Sequence, residues 1–202
     1  MQGSNLHILP NKLIIRETFQ DLASVMKNGG VVTGPVTISN SIATFNSVVG
    51  NVGNIHYNFR FNNTVTIRYI FKINAQPTQN FYIAGVFAGL NGANGLGGSY
   101  ISSSLNLVNL VTTTSIYING IAVSSYTFSI GVWYELTEVV TRYLTPYWYS
   151  YVLAGLDIGC YSPAHSSYNK ISVKLAEVYN YSLSAAEVSD LYTQTLYNDP
   201  TR

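Results

Sequence analysis

The sequence predicts an all-β fold, an antiparallel β-sandwich or jelly roll with a short N-terminal helix and a capped C-terminal helix. Three observations carry this: a long strict alternation at Thr64–Ile73, many short strand-like runs divided by turn clusters, and a helix-capping box at Ser184. At 202 residues the chain fits one large domain. A chain of this length buries roughly 70% of its unfolded surface and needs no disulfide or metal to fold. No internal repeat or linker divides it. Residues 1–27 are expected to form an N-terminal segment packed on a domain of residues 28–202.

In chain order, Thr18-Phe19-Gln20-Asp21 forms a weak capping arrangement. Leu22, Ala23 and Met26 follow at helical spacing, and Asn28-Gly29 stops the helix. Strand-like runs come next at Ile42–Phe45 and Ile55–Phe59. In Thr64–Ile73, period two puts Val65, Ile67, Tyr69, Phe71 and Ile73 on one face. Thr64, Thr66, Arg68 and Lys72 fall on the other, the pattern of a half-buried strand. Further runs are Phe81–Phe87, Leu105–Val111, Val132–Tyr143, Tyr147–Ile158 and Ile171–Tyr179. Asn119-Gly120 between Ser115–Ile118 and Ile121–Val123 signals a two-residue hairpin, because a type I′ turn needs positive φ at both positions. At the C-terminal end, Ser184 should accept from the Glu187 amide while Glu187 accepts from the Ser184 amide. Leu183 and Val188 complete a hydrophobic staple, and Asn198-Asp199-Pro200 ends the helix.

Composition narrows the function. Charged residues make up 9% of the chain, against a usual ~25%, and the net charge is +1. Polarity rests instead on 20 Asn, 21 Ser and 17 Thr together with 17 Tyr. The few basic residues are scattered, which argues against nucleic-acid binding. Residues 73–134 contain no Asp, Glu, Lys or Arg, yet the longest clean apolar run, Phe81–Ala88, is broken by Gly85. It falls well short of the ~20 residues of a membrane span. Leu13-Ile14-Ile15, closed by Arg16-Glu17, is too short for the apolar core of a secretory signal. Cys160 is the sole cysteine and reads as a small packing residue.

The segment Leu175–Tyr192, LAEVYNYSLSAAEVSDLY, resembles the closing motif of laminin-G-like domains of the concanavalin A-like lectin/glucanase superfamily. Tyr179-Asn180, Leu183-Ser184, Glu187-Val188 and Leu191-Tyr192 match that motif directly. Ile116–Gly120 is similar to the family's Y-x-N-G hairpin, and Trp133–Thr137 to its W-x-x-V-A strand. Asn28–Gly34 with Ala43–Asn46 is similar to its opening, so the resemblance spans roughly residues 28–197. The family's Asp-Glu pair falls here on Lys174-Leu175 or, with a gap, on Ala176-Glu177. The Trp133 strand also follows the hairpin rather than preceding it. The resemblance implies a concanavalin A-like jelly roll that binds glycans or proteins.

Enzymes of that superfamily carry carboxylates at alternate strand positions. Here Glu135 and Glu138 stand three apart, on opposite faces of a strand. Glu138 is expected to pair with a surface cation and Glu135 to line a sheet edge. The expectation is therefore a protein that is not an enzyme but a lectin-like module. The alternatives are a divergent glycoside hydrolase using Glu135 or Glu138, and a cellular adhesin fragment. His7, His56 and His165 stand apart from one another, from Cys160 and from any acidic cluster, which argues against zinc. No cofactor is expected. Calcium, which takes oxygen ligands, is the remaining option, with Asp157 and Asp21 the available acids. The aromatic cluster Tyr143, Tyr147, Trp148, Tyr149 and Tyr151 suits stacking on sugar C–H faces, and Asn91 and Asn94 in the glycine-rich 89–98 loop supply amides. The expected partner is a glycan or a host-surface protein, with other virion proteins or self-association as further options. Low charge limits one-signed repulsion in acidic solvent. It fits a virion or extracellular surface, where a viral attachment or structural protein would work.

Overall fold

The computed structural model describes residues 13–48, 50–59, 64–88, 94–97, 99–108, 113–141, 154–160 and 170–198. The chain begins with β1 (Leu13–Glu17), α1 (Leu22–Lys27), β2 (Val31–Thr33), β3 (Val36–Ser39), β4 (Ile42–Asn46), β5 (Asn54–Phe59) and β6 (Thr64–Ile73). Short strands follow: β7 (Phe81–Tyr82), β8 (Ala84–Ala88), β9 (Asn94–Gly97), β10 (Tyr100–Ile101) and β11 (Leu107–Val108). The last part holds β12 (Thr113–Ile118), β13 (Ile121–Ala122), β14 (Trp133–Thr141), β15 (Ala154–Ile158), β16 (Lys170–Tyr179) and α2 (Ala185–Asn198). The fold is an all-β antiparallel sandwich.

Its larger sheet has eight strands in the order β13-β12-β14-β6-β16-β4-β3, with β1 also paired to β16. A five-stranded sheet, β2-β5-β15-β8-β9, faces it, and a three-stranded sheet runs β11-β10-β7. Ile67, Tyr69, Phe71, Val173 and Val178 of the large sheet share one buried core with Ile55, Tyr57, Leu156 and Ile158 of the second sheet. This core removes large apolar side chains from water, the dominant favourable term in folding. Residues 13–17 pair antiparallel with β16 at the edge of the large sheet.

The expected half-buried β6 is corrected: it is buried on both faces. Thr66 and Arg68 are as enclosed as the apolar set. The reason is tertiary, because α2 lies across the outer face of the large sheet. Leu183, Val188 and Leu191 pack there against Tyr117, Val139 and Tyr179. Thr66 Oγ1 donates to the Tyr181 carbonyl at 2.7 Å and accepts from the Leu183 amide at 3.0 Å, so even the strand's hydroxyl is partnered. Phe81–Phe87 divides into β7 and β8 around the buried Ile83. Of the described part of the run from Leu105, Leu107–Val108 is strand, and Leu105 itself takes a left-handed φ of 65°.

Both two-residue hairpins use left-handed backbone. Asn119 and Gly120 have φ of 52° and 77°, as a type I′ turn requires. A Cβ on Gly120 would stand 3.0 Å from Tyr192 of α2, so the turn also gives the helix room. Asn40 and Ser41 join β3 to β4 with φ of 52° and 58°. That hairpin escaped the sequence because serine is an unusual residue in this conformation.

Asp21 caps α1 by accepting from the Ser24 amide at 2.7 Å. The Ser184 box is present as the sequence predicts: the Ser184 amide donates to Glu187 Oε2 at 2.7 Å, and the Glu187 amide donates to Ser184 Oγ at 3.3 Å. Among the described residues no helix is long and apolar enough to cross a membrane. Replacing Ser184 by Ala is expected to lower stability by ~1 kcal/mol, the usual effect of a lost N-cap. Urea unfolding monitored by circular dichroism measures it, and an unchanged midpoint would count against the cap.

Candidate functional site

Among the described residues, a concavity arises from a break in strand pairing. β16 uses one edge for β6 and divides the other between two strands. β4 pairs with Lys170–Val173, and β1 pairs with Ala176–Tyr179. Between them Lys174 and Leu175 have no ladder partner on that edge, and the β16–β6 register shifts at the same point. A bulge of this kind re-aims a side chain and bends its strand. The result is a groove of about 610 Å³. Leu13, Arg16 and Thr18 of the β1 region, Asn40 and Ser41 of the left-handed turn, and Leu191, Gln194 and Thr195 of α2 form its walls. Arg68, Ile70, Leu175, Glu177 and Tyr179 form its floor.

The floor is fixed by Arg68, which is 2% exposed. Its Nε and Nη2 donate to the two oxygens of Glu135 on β14 at 2.9 and 2.8 Å, and its Nη1 donates to Glu177 on β16. Nη2 also reaches the Leu191 carbonyl and the Thr195 hydroxyl of α2. Burial works against this cation, but the two carboxylates outweigh it and hold the guanidinium charged. Arg16 approaches the other Glu177 oxygen at 3.5 Å from the groove wall. The Tyr179 hydroxyl donates to Glu177 Oε2 at 2.8 Å, and burial together with that carboxylate pushes the phenol far above its ordinary range. Floor groups are therefore spent on one another. The wall groups Arg16, Asn40, Ser41 and Gln194 face solvent. With Lys174 they offer donors above an apolar strip of Leu13, Ile70 and Leu175.

Sequence reasoning missed Arg68 and Glu177 as a pair and misplaced both glutamates of β14. Glu135 lines no sheet edge, because β14 is an interior strand flanked by β12 and β6. Glu138 meets no surface cation. It projects into the core, where the Tyr69 hydroxyl donates at 2.5 Å and the Ser99 amide at 2.6 Å. Burial raises its pKa, and the two hydrogen bonds offset part of that rise. The one available signal was scarcity: where 9% of residues are charged, an arginine and glutamates inside strongly apolar strands are expected to pair.

His56, which stands apart from any acidic cluster, meets a single acid in the fold. Asp157 Oδ1 lies 2.9 Å from His56 Nδ1 and accepts from Asn54 Nδ2 at 2.8 Å. The hydrogen bond to Asp157 raises the His56 pKa, with burial opposing. Antiparallel pairing of His56 with Asp157 in the five-stranded sheet brings these distant residues together. Gly155 makes room, since a Cβ there would stand 2.6 Å from His56 Cε1. Among the described residues no group of three or more His, Cys, Asp or Glu converges as a metal site. Cys160 is buried. Tyr143, Tyr147, Trp148, Tyr149, Tyr151 and Asn91 lie outside the described residues. Asn94 opens β9.

No protein-family model matches the chain, and no curated protein matches it in sequence. Solved structures do share its fold. A sialidase from Trypanosoma rangeli superposes with a TM-score of 0.65 at 14% identity, covering 92% of this chain and 33% of the sialidase. The same enzyme in complex with 2,3-difluorosialic acid, a covalent intermediate, gives 0.61 at 14%, covering 82% and 29%. Botulinum neurotoxin type C, which depends on interaction with two ganglioside molecules to get into cells, gives 0.50 at 9%, covering 91% and 51%. The shared feature is the all-β sandwich. The chain spans about a third of the length of the sialidase chains it matches.

These comparisons overturn the expectation that the chain is not an enzyme, because sialidases are glycoside hydrolases. That expectation rests on the spacing of Glu135 and Glu138, which forms no carboxylate pair on one strand face. Sialidases depart from the two-carboxylate scheme by using a tyrosine nucleophile, so unpaired carboxylates do not speak against them.

Two substitutions test the site's electrostatics. Arg68→Met leaves Glu135 and Glu177 buried without their cation and is expected to cost about 3–5 kcal/mol in urea unfolding at pH 7. Glu138→Gln tests the buried carboxyl. A raised folded-state pKa means that the contribution of Glu138 to stability is full below the ordinary carboxylate range and is lost as pH rises through the raised value. Glutamine has no such loss. The variant should therefore gain stability relative to the wild type between pH 4 and pH 7, and an equal difference at both values would contradict the assignment.

Proposed function

We propose that this chain is a glycan-binding β-sandwich of the laminin-G-like type, with the groove between β1, the Asn40-Ser41 turn and α2 as its binding site. The observation that carries the reading is the groove's chemistry. An apolar strip of Leu13, Ile70 and Leu175 is bordered by the amides of Asn40 and Gln194, the Ser41 hydroxyl and the cations Arg16 and Lys174, of which Arg16 also approaches Glu177. Sugar rings present that same division, apolar C–H faces and a rim of hydroxyls, and binding sites in general combine an apolar lining with a few oriented polar groups. The rigid floor supports recognition, because Arg68 ties β6, β14, β16 and α2 into one unit and little ordering is left for binding to supply.

The matching sialidase in complex with a sialic-acid derivative and the ganglioside-dependent toxin add support, since both are glycan-handling proteins on this fold. The laminin-G-like closing motif at Leu175–Tyr192 agrees with them. A second reading, in which the chain itself acts on glycosidic bonds, is favoured by the sialidase likeness.

One assay separates the two. The purified chain is applied to an immobilised glycan array, and released sugar is measured in parallel. Binding is expected to weaken at least tenfold in a Gln194→Ala/Asn40→Gly variant, in which glycine preserves the left-handed turn. Equal binding by this variant would move the site elsewhere, and absence of binding to any glycan would refute the reading. Sugar release would establish the second reading.

A further inference from the structure

β2 ends the five-stranded sheet and β3 ends the eight-stranded one, so each has an edge without a strand partner among the described residues. The two strands are consecutive, joined by Gly34-Pro35, and α1 packs beside β2. Together they border a second groove of about 520 Å³, lined by Leu22 and Met26 of α1, Val31 and Val32 of β2, and Val36 and Ile38 of β3. Leu22 and Met26 stand four apart on one face of the helix, while Val25 turns to the core and anchors it there. Leu22 is 49%, Met26 63% and Val31 55% exposed. Single exposed apolar residues are ordinary, but three that line one groove form a patch of the kind that marks an interaction surface. The two edges also lack the charges that normally guard an open strand. Residues 28–59 hold no Asp, Glu, Lys or Arg.

We propose that this patch joins two copies of the chain about a two-fold axis, with their α1 helices antiparallel across it. Charge selects both the partner and the direction. Asp21 caps the N-terminal end of α1, Lys27 closes its C-terminal end, and both are exposed. The five residues between them carry no charge. Among the described residues Lys27 has no ionic partner inside its own chain. A two-fold contact presents the same surface from both sides, so an antiparallel pair of helices sets Asp21 of each copy against Lys27 of the other. A parallel pair sets like charges together. Exposed ion pairs contribute little individually, so burial of Leu22, Met26 and Val31 supplies the affinity and the charges fix the direction. Met26 suits such a contact, because its unbranched side chain adapts to the surface that meets it. A foreign protein gains no comparable selection, since the helix ends carry one charge of each sign and set up no net field to attract it. The patch shares no residue with the groove beside β1, so the proposal stands apart from the glycan reading.

Sedimentation velocity of the purified chain at pH 7, from about 1 to about 100 µM and at low and high salt, tests this. The wild type is expected to pass from monomer to dimer over that range. Met26→Lys and Val31→Lys place a cation in the apolar patch at exposed positions. Each should weaken the dimer at least tenfold while melting like the wild type at the dilute end, where both are monomeric. Lys27→Glu turns each cross-copy attraction into a repulsion and should weaken the dimer several-fold, more at low salt than at high. Adding Asp21→Asn, which keeps a capping side chain, should restore most of that loss. A wild type that stays monomeric at about 100 µM overturns the proposal and leaves the glycan reading as it stands. A dimer indifferent to both lysine substitutions also overturns it, since another face then joins the copies. A dimer that responds to them but not to Lys27→Glu overturns the antiparallel arrangement.

Discussion

The guanidinium of Arg68 is the point through which the outer half of this structure is joined. It is buried in the middle of β6, with one acidic partner on each neighbouring strand and two acceptors on the closing helix. Each of these attachments crosses a boundary between elements. A buried cation is tolerable only where several acceptors surround it, and the two carboxylates are tolerable only because the cation is there. The network therefore fixes the register of β14 and β16 against β6, and it fixes where α2 lies along the sheet. Apolar packing alone would specify that position less sharply, since Leu183, Val188 and Leu191 could slide along a smooth surface with modest loss.

The groove follows from that fixed helix together with a feature of the sheet. A strand with ten residues offers more edge than either β1 or β4 can cover, and the two short strands meet it at opposite ends. What they leave open is a notch at Lys174–Leu175. The bulge at that notch turns Lys174 outward, and the left-handed Asn40-Ser41 turn brings an amide and a hydroxyl to its rim. Strain of this kind persists where surrounding structure over-determines it, and it is common at functional sites. Low overall charge makes the local cations count for more, because few carboxylates remain to neutralise them.

The two faces of the sandwich have different chemical characters. Inside, Glu138 and Glu17 are enclosed and engaged by tyrosine hydroxyls and backbone amides. On the five-stranded sheet, the His56–Asp157–Asn54 cluster is likewise internally satisfied. Among the described residues, the outer face of the large sheet presents donors, cations and an aromatic ring toward solvent.

The sequence by itself determined the fold class, the long central strand, the Asn119-Gly120 hairpin and the capped final helix. Each of these is written in local chemistry: alternation with period two, a residue pair that accepts positive φ, and a serine three positions before a glutamate. Only the tertiary structure decided the rest. Thr64–Ile73 reads as half-buried because alternation reports one apolar face, while the burial of the other depends on a helix more than a hundred residues later. The pairing of Arg68 with Glu135 and Glu177, and of His56 with Asp157, joins positions far apart in the chain. No spacing rule links them, and strand order alone brings them together. The groove is further still from the sequence, since it is a gap between two strands that share one edge. A gap has no residue pattern of its own.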